Sequence, residues 1–514
     1  MAYKITCLGG TGEIGMNLYV YEGEKDAIIV DCGVKFADPD RLGVDSILPD
    51  LSYLERIREK LRCVIFTHGH EDHTGAAFFL LKRFPLPVYT GRFTAELLKP
   101  KLEELPHIEV NVLKNGDYVK VGELNTLAFE VPHSIPDTMG LKIMAQDFSA
   151  VHISDFRTEG DLGFLPDVST DCLLLDSTNA LSYSDDRYSE ADIEEEFTRL
   201  FSTSKGRVFI STFSSNVERV RGAIRAARAT GRQVVIEGAA MARTVNAAFS
   251  LGLLPSAGDI SVQDAAREGT KGFVYLISGC QGEHGSALYN IAMGERKVLY
   301  FEEGDLLIFS SRVIPGNEDR VNHIENAVLR AGARVIKWED ACVHVSGHAY
   351  PNELKQVISH FNPRWFIPVH GEYRHLIKHC EIAQEVGLRS EQLLFCETGT
   401  TLLFSGGKYV EVEKTEAKQL YFDSRGSFYL DEEGLRERKQ LARDGAIAVY
   451  NGERLLIQPI GFELSVGQIA ALKELISTEE ALANETETER ISRLIKRYIK
   501  KQLKRRPVIT IFGS

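Results

Sequence analysis

The stretch "THGHEDHTGA" at 67–76 sets His68, His70, Asp72 and His73 directly after the apolar run Val64, Ile65 and Phe66. Neutral imidazole nitrogens and carboxylate oxygens bind Zn²⁺ and Mn²⁺, and a tight turn at a strand end aims alternate side chains at two different ions. His68 and His70, two apart, can share one ion, while Asp72 and His73 reach a second. So few donors cannot surround two ions. Other strands must therefore end at the same edge of a sheet and deliver further His and Asp. Candidates stand where this requires them, each after an apolar β-like run: His133 in "VPHSIPD", Asp155 in "VHISDF" and His370 in "IPVHGE". His-rich surface loops arise by chance, but the complete set argues for paired metal ions.

The chain around this centre is long enough, at 514 residues, for several hydrophobic cores. Residues 1–200 read mainly as short strands, such as the hairpin pair "NLYVYEG" and "AIIVDCG". From 201 to 342 the strands "RVFIST", "RQVVIEG", "GFVYLISG" and "ARVIKW" alternate with helical stretches. One of these, 217–229, carries Val217, Val220, Ile224 and Ala227 on one face. That rhythm predicts an α/β unit with a parallel sheet. Strands ending in His and Gly return over 343–413, as expected of a fold interrupted by an insertion and then resumed. The charged stretch 414–445 reads as a linker, and 446–514 as a small appended α/β domain.

Composition excludes several classes. The eight cysteines form no CxxC pair or regular framework, so they read as buried thiols in a reducing compartment. No segment approaches the roughly 18 uninterrupted apolar residues of a membrane span, and the N-terminus lacks a leader pattern. The expectation is a cytoplasmic protein without a membrane partner. A net charge of −13 argues against indiscriminate nucleic-acid binding, so any polyanion must be held locally, by metal ions or by the basic tail 490–506. In that tail Ile491, Leu494, Ile495, Tyr498, Ile499 and Leu503 form one helical stripe, and the Lys and Arg read first as its solvated side.

"HVSGHA" at 343–349 offers His344, Ser346, His348 and backbone N–H groups near Gly347, with a helix expected from about Asn352. Such a nest at a helix start suits a phosphate group. Asp176 in "LLDSTN" can serve as a turn or capping residue at a strand end, or act beside a metal centre. The glycines of "LGGTGEIG" superficially match a dinucleotide fingerprint, but that loop lacks the βαβ context, and a tight turn is expected instead.

The motifs "LGGTGEIGMNLYV", "THGHEDHTGA", "PHSIPDTMG", "LLDSTNA", "FSSNVERV", "FSSRVIPGNE", "HVSGHAYPNELK" and "FIPVHGEYRHL" together resemble the ribonuclease J family, in the β-CASP branch of the metallo-β-lactamase superfamily. The resemblance implies an αββα sandwich interrupted by an inserted β-CASP α/β domain, with a small C-terminal α/β domain. It also implies that His68, His70 and His133 hold one divalent ion and that Asp72, His73 and His370 hold the other, with Asp155 bridging. Zinc is the first expectation and manganese the second. Asp176 and His348 match the first two β-CASP motifs. A carboxylate orienting an imidazole that protonates a leaving oxygen makes physical sense there, so Asp72, Asp176 and His348 are the expected catalytic residues. His370 is the third motif, where histidine is associated with RNA-directed members. The pocket for a 5′-terminal phosphate is associated with His344, Ser346, Gly347 and His348 together with Phe213, Ser215 and Asn216. For Phe213, core packing is an equal alternative.

The function implied is metal-dependent hydrolysis of single-stranded RNA to 5′-phosphate products, as a 5′-to-3′ exonuclease with endonuclease activity in RNA maturation and decay. Homodimers or homotetramers, and association with RNA-decay machinery or ribosomes, go with it. The alternatives are a DNA-directed nuclease of the same branch and a non-catalytic RNA-binding scaffold.

Overall fold

The computed structural model describes residues 2–513 apart from 37–42, 45, 159, 183–187, 256–259, 263–271, 297, 315, 424–427 and 484. The chain divides into two compact units, one of residues 1–35 and 49–418, the other of 36–48 and 419–514.

Two mixed sheets form the base of the first unit. In the eight-stranded sheet the strands run in the order Lys408–Lys414, Thr400–Ser405, Ala2–Gly9, Leu18–Glu22, Ala27–Val30, Leu61–Phe66, Val88–Thr90 and Val110–Val112. The six-stranded sheet runs Tyr118–Val121, Leu124–Glu130, Met139–Met144, Ser149–Ile153, Cys172–Asp176 and Trp365–Val369. The expected hairpin is present, with Leu18–Glu22 antiparallel to Ala27–Val30. Inward-facing residues of both sheets, among them Ile5, Tyr21, Ile65, Leu141 and Ile367, fill one core. Helices Pro351–Phe361 and Tyr373–Glu385 bury Leu354, Val357, Ile358 and Ile382 against the outer face of the six-stranded sheet.

The insertion is a six-stranded parallel sheet in the order Ile260–Val262, Gln233–Glu237, Phe273–Ile277, Val208–Ser211, Leu306–Phe309 and Arg334–Ile336. The central strands Val208–Ser211 and Leu306–Phe309 are buried throughout, as a sheet covered on both faces requires. Helix Val217–Ala229 buries Val217, Val220, Ile224 and Ala227, the face read from the sequence. Helix Glu318–Arg330 covers the opposite side with Val321, Ile324 and Val328. Helix Glu190–Thr203 buries Ile193 and Phe197 in the same core as Val217–Ala229.

In the second unit, strands Ala446–Tyr450, Leu456–Ile460 and Val508–Phe512 share a core with Leu472 and Ile476 of one helix and Ile491, Leu494, Ile495 and Ile499 of the next. The stripe of the basic helix Glu487–Leu503 is thus its buried face, with Tyr498 and Leu503 half-buried. The stretch expected as a bare linker, 414–445, holds regular structure: strands Gln419–Asp423 and Phe428–Leu430 and helix Glu432–Asp444. That helix is solvated along nearly its whole length, with only Asp444 buried, so its charged composition suits a linker equally well. The excursion at 36–48 also belongs here, held by Arg438, which donates to Gly43 O at 2.6 Å. Among the described residues no helix is long and apolar enough to cross a membrane.

Candidate metal centre

Strand Leu61–Phe66 runs parallel to Ala27–Val30, and the ligand-rich turn follows it directly. His70 stands at the start of the short helix Glu71–Thr74. The turn is stapled to the neighbouring loop by Cys32 N–H to His73 O (2.8 Å), Val34 N–H to Glu71 O (3.0 Å) and Asn17 N–H to Asp72 O (2.9 Å). Gly33 permits this approach, since a Cβ there would meet Asp72 O at 1.6 Å. Gly10, Gly12 and Gly15 all have positive φ, in keeping with the tight turn expected of "LGGTGEIG".

The second sheet delivers the rest. Strands Ser149–Ile153, Cys172–Asp176 and Trp365–Val369 are parallel and in register, so Asp155, Asp176 and His370 reach the same edge. His370 has φ +52° and donates its backbone N–H to Gly10 O at 2.6 Å. A positive φ on a non-glycine residue is held only where the surroundings insist on it.

The ligand atoms of His68, His70, His133 and Asp155 lie within 4.8 Å of one another, as do those of Asp72, His73, Asp155 and His370. Asp155 belongs to both groups. Its Oδ2 is 3.5 Å from the Nε2 atoms of His68 and His133, and its Oδ1 is 3.3 Å from His73 Nε2 and 3.4 Å from His370 Nδ1. Yet Oδ1, fully enclosed, has no hydrogen-bond partner. His68 Nε2 faces His70 Nδ1 at 2.9 Å, and His370 Nε2 faces Asp72 Oδ2 at 3.1 Å. An orphaned carboxylate oxygen among converging imidazole nitrogens is a donor set that a divalent cation satisfies, and burying such groups without one is costly. The residues present fit divalent metal.

The electrostatics split the cluster. Burial, followed by the charge of a neighbouring histidine, pushes His68 down to about 4 and His70 to about 3, so both rings are neutral donors at pH 7. His133 is lowered too, chiefly by burial. On the other side burial acts downward on His370, but Asp155, Asp176 and Asp72 outweigh it and push the ring up to about 10. His73 is raised in the same way by Asp155, Asp72 and Asp31, against burial.

Beside these groups His348 Nδ1 is 2.8 Å from Asp176 Oδ2, with its Nε2 3.9 Å from Asp155 Oδ2. Asp176 also accepts at Oδ1 from Thr178 N–H (2.9 Å) and Thr178 Oγ1 (2.7 Å). Burial lowers His348, but the carboxylates of Asp176 and Asp155 prevail and raise it.

Of the expected phosphate residues, Phe213, Ser215 and Asn216 follow strand Val208–Ser211 of the inserted sheet, whereas Ser346, Gly347 and His348 contact Asn179, His133 and Asp176 of the sandwich. Phe213 is 36% exposed, which excludes plain core packing. His344 is half-buried, its Nδ1 lacks a hydrogen bond, and burial with the charges of Arg219, Arg312 and Arg157 holds it neutral. Ser346 Oγ accepts from Asn179 Nδ2 (2.8 Å), and Gly347 O lies 2.6 Å from His133 Nδ1. Ser215 precedes Asn216, whose Oδ1 caps helix Val217–Ala229 through Arg219 N–H (2.9 Å) and whose side chain also bonds Glu190. Asn216 is thus already engaged by the protein, and contacting a phosphate would cost one of these bonds. His152 is fully buried, with Nδ1 2.7 Å from Tyr21 Oη. His107, His284, His323 and His360 are exposed, while His375 and His379 are buried in helix Tyr373–Glu385.

Two residues at the centre escaped the sequence reading. Asp31, fully buried at φ +60°, has Oδ2 2.8 Å from His73 Nδ1 and accepts from Thr67 N–H (2.7 Å) and Thr67 Oγ1 (2.8 Å). Such a bond fixes the ring and leaves Nε2 turned toward the cluster, as a metal donor would need. Asn17 Nδ2 lies 3.1 Å from His73 Nε2 and donates to Asp72 O at 3.2 Å. The apolar run "AIIV" ending in Asp31 was the available signal for the first.

A two-sheet sandwich with this cluster at one edge defines a metallo-β-lactamase fold, and residues 12–140 match that superfamily. Residues 205–328 match "Ribonuclease J, beta-CASP domain", and 340–391 match "Zn-dependent metallo-hydrolase RNA specificity domain". Ribonuclease J of Sinorhizobium meliloti is 37% identical over 461 residues, covering 86% of this chain and 81% of that protein. Ribonuclease J of Corynebacterium glutamicum is 34% identical over 541 aligned positions (98% and 75%), and Ribonuclease J2 of Bacillus subtilis is 32% identical over 464 (87% and 83%). A crystal structure of a protein of unknown function from Enterococcus faecalis V583 shares the fold, at TM-score 0.56 and 18% identity over 79% of this chain and all of that one. The chain belongs to the ribonuclease J family, whose members are metal-dependent ribonucleases.

Proposed function

We propose that this chain hydrolyses single-stranded RNA at a two-ion centre, leaving 5′-phosphate and 3′-hydroxyl ends. It works mainly 5′ to 3′, with internal cleavage as a second mode, in RNA maturation and decay. The observation that carries this is Asp155, shared by two ligand groups, with the Asp176–His348 pair alongside. His68, His70 and His133 would hold one ion and Asp72, His73 and His370 the other, with Asp155 available to both. The imidazole-rich donor set favours zinc over manganese. Two divalent ions bound there lower the pKa of water into the neutral range and neutralise charge on the phosphoryl oxygens.

The protein's own groups do the remainder. Asp176 orients His348 through Nδ1, so that Nε2 carries a proton toward the leaving 3′ oxygen; positioned acids of this kind typically supply about 10²–10⁴-fold. His344, Ser346, Gly347 and Ser215, with Phe213 at the rim, receive the 5′-terminal phosphate, with Arg219, Arg312 and Arg157 supplying positive potential behind His344. Phe213 and Ser215 follow the carboxyl end of strand Val208–Ser211, which is parallel to Leu306–Phe309, and this supports the reading because open α/β sheets generally take ligands there. Homodimers or homotetramers, a cytoplasmic setting, and contacts with decay machinery or ribosomes follow from the family resemblance alone.

The test is to incubate the protein plus Zn²⁺ or Mn²⁺ with matched RNA and DNA oligonucleotides carrying a 5′-monophosphate or a 5′-triphosphate. Mononucleotides released from the monophosphorylated RNA are expected. Internal fragments indifferent to the 5′ end would remove the phosphate pocket, and preferential cutting of DNA would favour the DNA-directed alternative.

A further inference from the structure

The chain has two tryptophans, in different settings. Trp365 is half-buried against the sandwich core. Trp338 stands two residues beyond strand Arg334–Ile336, at the C-terminal edge of the inserted sheet, and is 38% exposed. The guanidinium of Arg312 covers its ring, 4.4 Å from the centroid. The turn beneath is fixed: Lys337 N–H donates to Asp340 Oδ2 at 3.0 Å, Asp340 N–H returns to Lys337 O at 3.0 Å, and Lys337 Nζ pairs with Glu325 at 3.0 Å. The turn that carries the indole is thus tied down, while the ring itself, under Arg312, stays partly open.

Its neighbours indicate a ligand. Strand Arg334–Ile336 is in register with Leu306–Phe309 (Ile308 opposite Ile336), which is in register with Val208–Ser211 (Ser211 opposite Phe309). Phe213, Arg312 and Trp338 therefore follow the ends of three adjacent strands on one edge, which spans about 10 Å at the usual strand spacing. Two of the three are exposed aromatics, and the charge of the third, Arg312, reaches His344.

We propose that Trp338, backed by Arg312, is a base-stacking platform that receives a nucleobase of the RNA whose 5′ phosphate occupies the adjoining crevice. This rests on the ribonuclease reading above and adds a specificity-determining residue to it. Stacking on an indole accepts any base, because every base has a π-face, and a cation on the opposite side reinforces it. The platform therefore tolerates sequence but demands an unpaired, unstacked base, which selects single strands over duplex.

Trp365→Phe leaves Trp338 as the sole tryptophan, whose emission is read by exciting at the red edge of the absorption band, where the 18 tyrosines do not absorb. The full-length variant, loaded with metal, is titrated with a 5′-phosphorylated, phosphorothioate-protected oligoribonucleotide and with versions abasic at each of the first positions. Quenching of Trp338 emission is expected with the intact oligonucleotide and its loss with one abasic version. Trp338→Ala is expected to raise KM roughly 5- to 150-fold, the range of a single base–aromatic contact, with kcat at saturating RNA retained. Trp338→Phe should restore most of the affinity, and thermal melting checks that both variants fold. RNA that is bound and cut without change in Trp338 emission, or an unchanged KM in Trp338→Ala, overturns the platform while leaving the ribonuclease reading intact. Absence of RNA binding and cleavage in the parent protein overturns both.

Discussion

Replacing Asp31 by Asn keeps shape and volume but changes which atoms can donate. The carboxylate now serves Thr67 N–H at 2.7 Å, Thr67 Oγ1 at 2.8 Å and His73 Nδ1 at 2.8 Å, all as acceptor. An amide has one acceptor. If its oxygen stays with Thr67 N–H, its NH₂ faces His73 Nδ1, and the ring must move its proton to Nε2, the nitrogen needed for the metal. If the amide flips instead, a buried backbone N–H loses its partner at about 1–3 kcal/mol. Either way ligation is penalised. Loss of such an outer partner typically costs 10–100-fold in metal affinity, or about 1.4–2.7 kcal/mol. Competition with a chromophoric chelator at neutral pH measures it directly, with thermal melting as a check on folding. The Asp31→Asn protein should bind Zn²⁺ at least tenfold more weakly. An affinity within twofold of the parent, in a folded protein, would refute the idea that Asp31 sets the tautomer of His73.

Other perturbations separate chemistry from scaffold. Asp176→Asn and His348→Ala should each lower kcat for RNA cleavage by about 10²–10⁴-fold with metal content retained; loss of metal along with activity would reassign the pair as ligands. Glu190→Gln strips the bidentate partner from Arg219, a fully buried guanidinium bound through Nε (2.7 Å) and Nη2 (2.9 Å). Breaking a buried pair from one side costs about 3–5 kcal/mol, so a lowered melting temperature is expected, and an unchanged one would show the pair contributes little. In the metal-free protein His370 is raised from 6.5 to about 10. That raise stabilises the fold fully below pH 6.5 and is lost as pH climbs toward 10. Ligation must displace this proton at neutral pH, so calorimetry in buffers of different ionisation enthalpy should record proton release on metal binding and tighter binding as pH rises; pH-independent binding would contradict it.

The ligand turn, the strand-end His and Asp, and the interrupted fold were legible in the sequence because each rests on a local pattern: an apolar run, then a donor. The parallel insertion was legible for the same reason, through the 3.6-residue spacing of Val217, Val220, Ile224 and Ala227. What escaped depends on distant pairing. Nothing near Asp31 announces that it meets His73, 42 positions on. Nor does Arg219 announce that its charge is buried against Glu190 and Ser310. The helix Glu432–Asp444 has no such local signature: its many charged residues suit a linker as well, although Glu, Arg, Lys and Leu are good helix formers. The membership of 36–48 in the second unit is a matter of tertiary contact alone.

The central claim is that two divalent ions share Asp155. Native mass spectrometry of active protein, with inductively coupled plasma analysis of the same sample, counts them. Two equivalents per chain are predicted in the parent, with Asp155→Ala losing both the metal and RNA cleavage while remaining folded. A fully active preparation that carries no divalent metal and keeps its activity in excess chelator would contradict the account.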